Sequence, residues 1–225
     1  MLHINILSFS PFLIPLVIVA IIIWLAFYFE KKRREALSNA AVGIGFFFEP
    51  KGDQSFVSSF TRFTSFHGGH SYRARNVMRG RRGGIGFTIF DFKYTVGYGK
   101  HSRTYNHTIA LVKLGVLAPT FYLTKESFLH KLGEAFGSKD IDFEANPAFS
   151  DKYFLRGTDE AAVKKLFSSS VMSFFETMEL KFTVEAEGDT LVVFRPGKKV
   201  KPADLNSFIQ QVSSIVNVFR KELEK

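Results

Sequence analysis

Four histidines, His67, His70, His101 and His107, fall within one stretch of about forty residues. Imidazole nitrogens ligate zinc, and two from one loop with a third from a neighbouring hairpin would leave an open, catalytic position. That defines one functional class, a membrane-bound enzyme using these four histidines with a metal. The spacing matches no established signature, the chain has no cysteine, and no helical HExxH occurs. Polar loop histidines are the plainer account, and no metal or other cofactor is expected.

Two glycine-rich stretches invite a phosphate-loop reading and fail it. Gly84 and Gly86 lack the third glycine of a dinucleotide loop, because Ile89 holds that place. Gly99-Lys100 would need a glycine where Tyr94 stands and a hydroxyl residue where His101 stands. Both read as turns. Asp140, Asp142 and Glu144 alternate along an extended segment, which suits a charged edge strand better than a cation site or a general acid. Asp91, set in GFTIFDFKY, is the acid that would need a partner once its face is covered. Lys93 or an arginine of the adjoining strand is expected to supply it.

The positive charges are unevenly placed. Residues 51–113 carry 11 Lys/Arg against Asp53 and Asp91, whereas residues 114–225 carry 15 basic and 16 acidic side chains. Such an excess calls for an anionic partner or is a solvated surface. The candidate contacts are Arg75, Arg79, Arg81, Arg82, Lys93, Lys100 and Arg103, with Arg73 beside them. Alternation in an extended strand would put Arg73, Arg75, Arg79 and Arg81 on one face. The expected partner is anionic lipid headgroups or an acidic protein surface. Nucleic acid is not expected, since no recognition motif accompanies the charge.

What must hold these residues in place begins with residues 12–29, FLIPLVIVAIIIWLAFYF, which carry no charge. Eighteen helical residues span about 27 Å, close to a hydrocarbon core of about 30 Å. Lys31, Lys32, Arg33 and Arg34 follow the run, the reverse of the order in a cleaved signal peptide. Positive flanks stay in the cytoplasm, so residues 1–11 are expected outside and 12–29 in the bilayer. Residues 30–40 form a basic juxtamembrane linker or helical extension, and residues 41–225 a cytoplasmic α+β domain, with two subdomains split near 118–145 as an alternative.

Within that domain, residues 41–48 suggest a first strand, and residues 51–73 a loop with one strand near 58–66. Residues 85–98 alternate with a phase change that suggests a bulge or bend near Phe90. Residues 74–80 and 104–114 pair with them as a meander, and residues 119–123 and 152–156 read as further strands. Helices are expected at 127–136 and at 160–167, the latter capped by Thr158, with a second apolar stretch at 171–175. Gly188-Asp189 reads as a hairpin turn between residues 180–186 and 191–194. Leu205, Phe208, Ile209, Val212, Ile215, Val216, Phe219 and Leu223 mark one face of a long amphipathic C-terminal helix. Phe, at 27 residues, should dominate the core. The architecture is α+β: an N-terminal transmembrane helix, then an antiparallel sheet packed with helices.

Three stretches, FDFKYTVGYGKHSRTYNHTIALVKL with PTFYL, DIDFEANPAFSDKYFLRGTDEAAVKKLFSSSVMSFFE, and LVVFRPGKKVKPADL, resemble a family of bacterial membrane-anchored proteins of unknown function. The resemblance implies a bacterial inner-membrane setting and assigns no catalytic or binding residue. The leading expectation is a membrane-tethered, non-enzymatic interaction module that presents a basic hairpin.

Overall fold

The computed structural model describes residues 13–61, 63–66, 68–129, 140–178 and 181–225. It is α+β. Helix α1 (Leu13–Gly43) is continuous over 31 residues. It passes without a break from the apolar run through the basic cluster and ends at the first strand. Residues 13–29 are all exposed, and the helix is long and apolar enough to cross a membrane. Beyond Glu30 its character changes: Arg33, Leu37, Ala40, Ala41 and Ile44 recur at helical spacing and turn inward, with Leu37 and Ala41 fully buried.

The sheet comprises β1 (Phe47–Lys51), β2 (Gly69–Arg82), β3 (Ile85–Val96), β4 (Arg103–Lys125), β5 (Tyr153–Gly157) and β6 (Thr183–Phe194), all pairings antiparallel. The 23-residue β4 is its spine. β3 and β5 pair with it in turn, β3 along Arg103–Val112 and β5 along Phe121–Lys125, and β6 pairs with both halves. The expected strands at 104–114 and 119–123 are therefore one strand. Gly83 and Gly84, both at positive φ, close the β2–β3 hairpin, so the meander is as expected.

Gly188 is no hairpin turn: it sits inside β6 opposite Ala118, at φ 60°, where the register shifts. A bulge does lie opposite Phe90, but it belongs to β2, between Arg75 and Met78, and β3 itself stays regular. Its register with β4 runs unbroken from Phe87 to Val96. What changes at Phe90 is the buried face. Ile85, Phe87 and Ile89 face α1 and the C-terminal helix, while Phe90, Phe92 and Tyr94 face the opposite cover.

That cover is α2 (Gln54–Phe60) with the 3-10 turn Thr64–Phe66, where a loop and strand were expected. Asp53 caps α2 by accepting the Phe56 N–H at 2.7 Å. Phe60 lies 4.7 Å from Phe90 and 5.0 Å from Phe92, centroid to centroid, and Phe66 lies 5.1 Å from Phe92. Phe does dominate this half of the core. The opposite face is covered by α5 (Glu160–Leu166), α6 (Ser169–Thr177) and α7 (Leu205–Leu223), with short α3 (Glu126–Leu129) and α4 (Pro147–Ser150) between β4 and β5. Asp159, not Thr158, caps α5. α7 buries Leu205, Phe208, Ile209, Val212, Ile215, Val216 and Phe219, the stripe its sequence spells out. Most of the helix expected at 127–136 lies outside the described residues.

Candidate functional site

Asp91 is 3% exposed, and the fold converges on it. Arg33 of α1 grips its carboxylate with two bonds, Nε to Oδ2 and an Nη to Oδ1, each 2.8 Å. Asn76 donates to Oδ2 at 3.0 Å, and Thr108 donates to Oδ1 at 2.7 Å. The same Arg33 donates to the Val200 carbonyl at 2.9 Å, and the Val200 N–H donates to the Thr108 hydroxyl at 2.8 Å. One carboxylate thus ties α1, β2, β3, β4 and the loop before α7 together. Its partner is neither Lys93 nor an arginine of the neighbouring strand. A buried carboxylate with a bidentate guanidinium and two further donors is a structural clamp, since all its acceptor sites are engaged.

Asn76 reaches Asp91 because β2 is bulged there. It adopts φ 52°, and the register shifts between Arg75 and Met78. Asn tolerates that left-handed conformation better than most residues. The bulge also reverses the alternation that followed from an unbroken strand. Arg73 and Arg75 lie opposite Lys93 and Asp91 on the α1 side, whereas Arg79 and Arg81 lie opposite Thr88 and Gly86 on the other.

The expected cations therefore form separate groups. Arg75 pairs with Glu30 of α1 at 3.2 Å. Arg73, Arg75, Lys93 and Lys199 line a pocket of about 170 Å³ beside Glu30 and Asp91. On the opposite face Arg79, Arg81, Lys113 and Arg220 rim an open groove of about 900 Å³ over the rings of Phe56 and Phe60. Arg79 is bound to Glu49 and sits 5.0 Å over the Phe56 ring; Lys113 is bound to Asp189. Arg81 donates to the Gly84 carbonyl and Arg82 to Asn206. Lys100 lies in the β3–β4 connection and Arg103 opens β4, and in that connection Tyr98 is 79% exposed and stacks on His70 at 4.7 Å. Of the juxtamembrane cluster, Lys31 lies 3.9 Å from Glu35, Lys32 and Arg34 are exposed, and Arg33 alone is drawn inward.

The described histidines do not form one group. His70 Nε2 donates to the Gly97 carbonyl, and its Nδ1 accepts from Ser71, each at 2.9 Å. His101 is exposed in the turn. His107 is fully buried against Phe194, Tyr94 and Tyr105, its Nδ1 accepting the Gly197 N–H at 2.7 Å. Burial holds its pKa down, to about 4. His67 lies outside the described residues. Among the described residues, no three His, Asp or Glu side chains come together as a ligand set. Asp140 is spent on structure, accepting the Leu155 N–H at 2.8 Å, and burial pushes its pKa up.

One further acid is buried without any expectation of it from the sequence: Glu185 on β6. It accepts the backbone N–H groups of Thr64 and Ser65 and the Ser65 hydroxyl, latching the 3-10 turn to the sheet. Burial raises its pKa against those hydrogen bonds. Nothing in the sequence separates it from Glu187 and Asp189, which follow it at strand spacing.

No family model and no curated protein matches the chain. Among solved structures it is similar to the crystal structure of the mycobacterial trehalose monomycolate transport factor A, TtfA. The TM-score is 0.59 at 15% identity, covering 86% of this chain and 94% of that one. At that identity the likeness is one of fold. No family model stands behind the resemblance to bacterial membrane-anchored proteins, though the structural neighbour is itself bacterial.

Proposed function

We propose that this protein is a non-catalytic interaction module tethered in a bacterial inner membrane, with its sheet domain cytoplasmic and its β3–β4 hairpin toward anionic lipid. The observation that carries the reading is the Arg33–Asp91 clamp, which makes anchor and domain one body. The bare apolar surface of residues 13–29 is stable in hydrocarbon and costly in water. Lys31, Lys32 and Arg34 follow it on exposed positions, which favours a cytoplasmic domain.

The direction of α1 supports the hairpin contact. The Ala41 carbonyl accepts the Phe46 N–H, and Phe46 packs on Phe87, while Arg33 meets Asp91. Following α1 back toward its apolar half therefore runs in the same sense as β3 from Phe87 to Asp91. Lys93, Tyr98, Lys100 and Arg103 come after Asp91, on the way into and around the β3–β4 connection. Basic side chains with an exposed tyrosine suit a headgroup layer, each cation contributing about 1 kcal/mol near an anionic surface. The groove on the opposite face, rimmed by Arg79, Arg81, Lys113 and Arg220, suits an acidic protein surface. The neighbour named as a transport factor is in keeping with an accessory role beside a membrane process.

Protease added to intact spheroplasts tests the arrangement. Residues 40–225 should survive until the cells are lysed. Digestion without lysis overturns the cytoplasmic assignment.

A further inference from the structure

The pocket beside Glu30 joins two circumstances that are independent of each other. The first is its depth. Glu30 is the first charged residue after the apolar span, and it lines the pocket. At about 1.5 Å rise per residue, a pocket touching Glu30 lies within one helical turn of the hydrocarbon edge, at headgroup level. The second is unbalanced charge. Arg73 stands directly across from Lys93 in the β2–β3 register, and Lys199 joins them on the pocket wall. Like charges facing each other across strands destabilise a sheet unless something neutralises them. The two carboxylates present are already committed, Asp91 to Arg33 and Glu30 to Arg75. Arg73, Lys93 and Lys199 are exposed and have no ion-pair partner among the described residues.

The dimensions narrow the missing anion. A volume of about 170 Å³ is enough for a phosphodiester head. Asn106 on the wall adds an uncharged donor. Arginine forks match phosphate oxygens in pairs, and lysines supply point charge.

We propose that this pocket holds the phosphate of an anionic phospholipid drawn from the leaflet at which α1 emerges. The site rests on the reading of α1 as a membrane span, and it deepens that reading by naming the ligand. A choline or ethanolamine head carries its own cation into a ring of cations, so the pocket selects phosphatidylglycerol over phosphatidylcholine. Bound lipid would complete the joint between helix and sheet, because it neutralises the side chains that flank the Arg33–Asp91 clamp.

The test uses the full chain in mild detergent, since α1 supplies Leu37, Ala41 and Arg33 to the fold. Native mass spectrometry with phosphatidylglycerol and phosphatidylcholine in equal amounts reads retained lipid directly. The wild type should keep one phosphatidylglycerol in preference. Arg73→Ser/Lys93→Ser/Lys199→Ser should lose that preference by about a hundredfold. Lys152→Ser/Lys165→Ser/Lys221→Ser removes as many exposed charges elsewhere and should keep it. If the triple pocket variant fails to fold, Lys93→Ser and Lys199→Ser alone should each give a graded loss. Equal retention of both lipids, unchanged retention in the pocket variants, or displacement by millimolar inorganic phosphate overturns the proposal. None of these outcomes touches the membrane orientation, which the spheroplast experiment decides separately.

Discussion

Arg75 and Arg79 stand four residues apart on β2 and face opposite sides of the sheet, Arg75 bound to Glu30 of α1 and Arg79 lying over the Phe56 ring of α2. In a regular strand that spacing keeps two side chains on one face. The bulge at Asn76 inserts the residue that reverses them, and the same residue donates to Asp91. A single backbone irregularity thus divides the basic surface into a pocket beside α1 and a groove on the opposite face, and helps to build the clamp between them.

The clamp should be asymmetric under mutation. Arg33→Met leaves Asp91 buried without a counter-charge, which costs about 3–5 kcal/mol. Adding Asp91→Asn should recover part of that loss, because a neutral amide needs no counter-charge and still accepts from Thr108. Chemical denaturation of the full chain in micelles measures both. A single variant within about 0.5 kcal/mol of wild type would show that water, not Arg33, neutralises Asp91.

Glu185 should control the α2 cover. Glu185→Gln keeps one acceptor oxygen and replaces the other with a donor that faces backbone N–H groups. The expected loss is about 1–3 kcal/mol, the cost of stranded buried donors. Amide hydrogen exchange should quicken in residues 54–66 ahead of the C-terminal helix. Unchanged exchange there would mean that the packing of Phe60 and Phe66 on Phe90 and Phe92 holds the segment unaided.

Periodicity made α7 and the β2–β3–β4 meander readable, because each has one face against apolar neighbours along its length. Two other features obeyed rules that the pattern does not display. In β3 the covered face switches at Phe90, while the bulge opposite it belongs to β2 at Asn76, where Arg73, Arg75, Arg79 and Arg81 keep the spacing of an unbroken strand. Gly188-Asp189 has turn chemistry, yet the chain is already paired with β4 on both sides of it. Among four consecutive cations, Arg33 is singled out only by its helical phase with Leu37, Ala40 and Ala41, a signal that was present. So was the helix signal of Asp53 followed by Phe56, Val57 and Phe60. The separation of Arg73 from Arg79 was not legible, since it depends on one residue's φ.

His107 should make the protein acid-sensitive in a defined window. Its folded pKa is about 4, held down by burial, against a usual value of 6.5. Between those values the unfolded chain binds a proton that the folded chain refuses. Stability is therefore complete above about pH 6.5 and declines as pH falls toward 4, by roughly 3 kcal/mol in all. The Gly197 N–H bond fixes the neutral form, because it occupies Nδ1 as an acceptor and leaves the proton on Nε2. Glu185 works in the opposite sense: its raised pKa makes acid relieve part of its burial cost. A comparison of variants removes that contribution, since it is common to both. His107→Gln retains an acceptor for Gly197 and cannot take up a proton in this range. It should be less stable than wild type at pH 7.5 through lost ring packing, and the gap should narrow steadily as pH falls from 6.5 to 4.5. Urea midpoints at intervals across that range measure the difference. A gap that stays constant with pH would mean that His107 takes up its proton alike in the folded and unfolded chain, and the buried neutral imidazole would have to be abandoned.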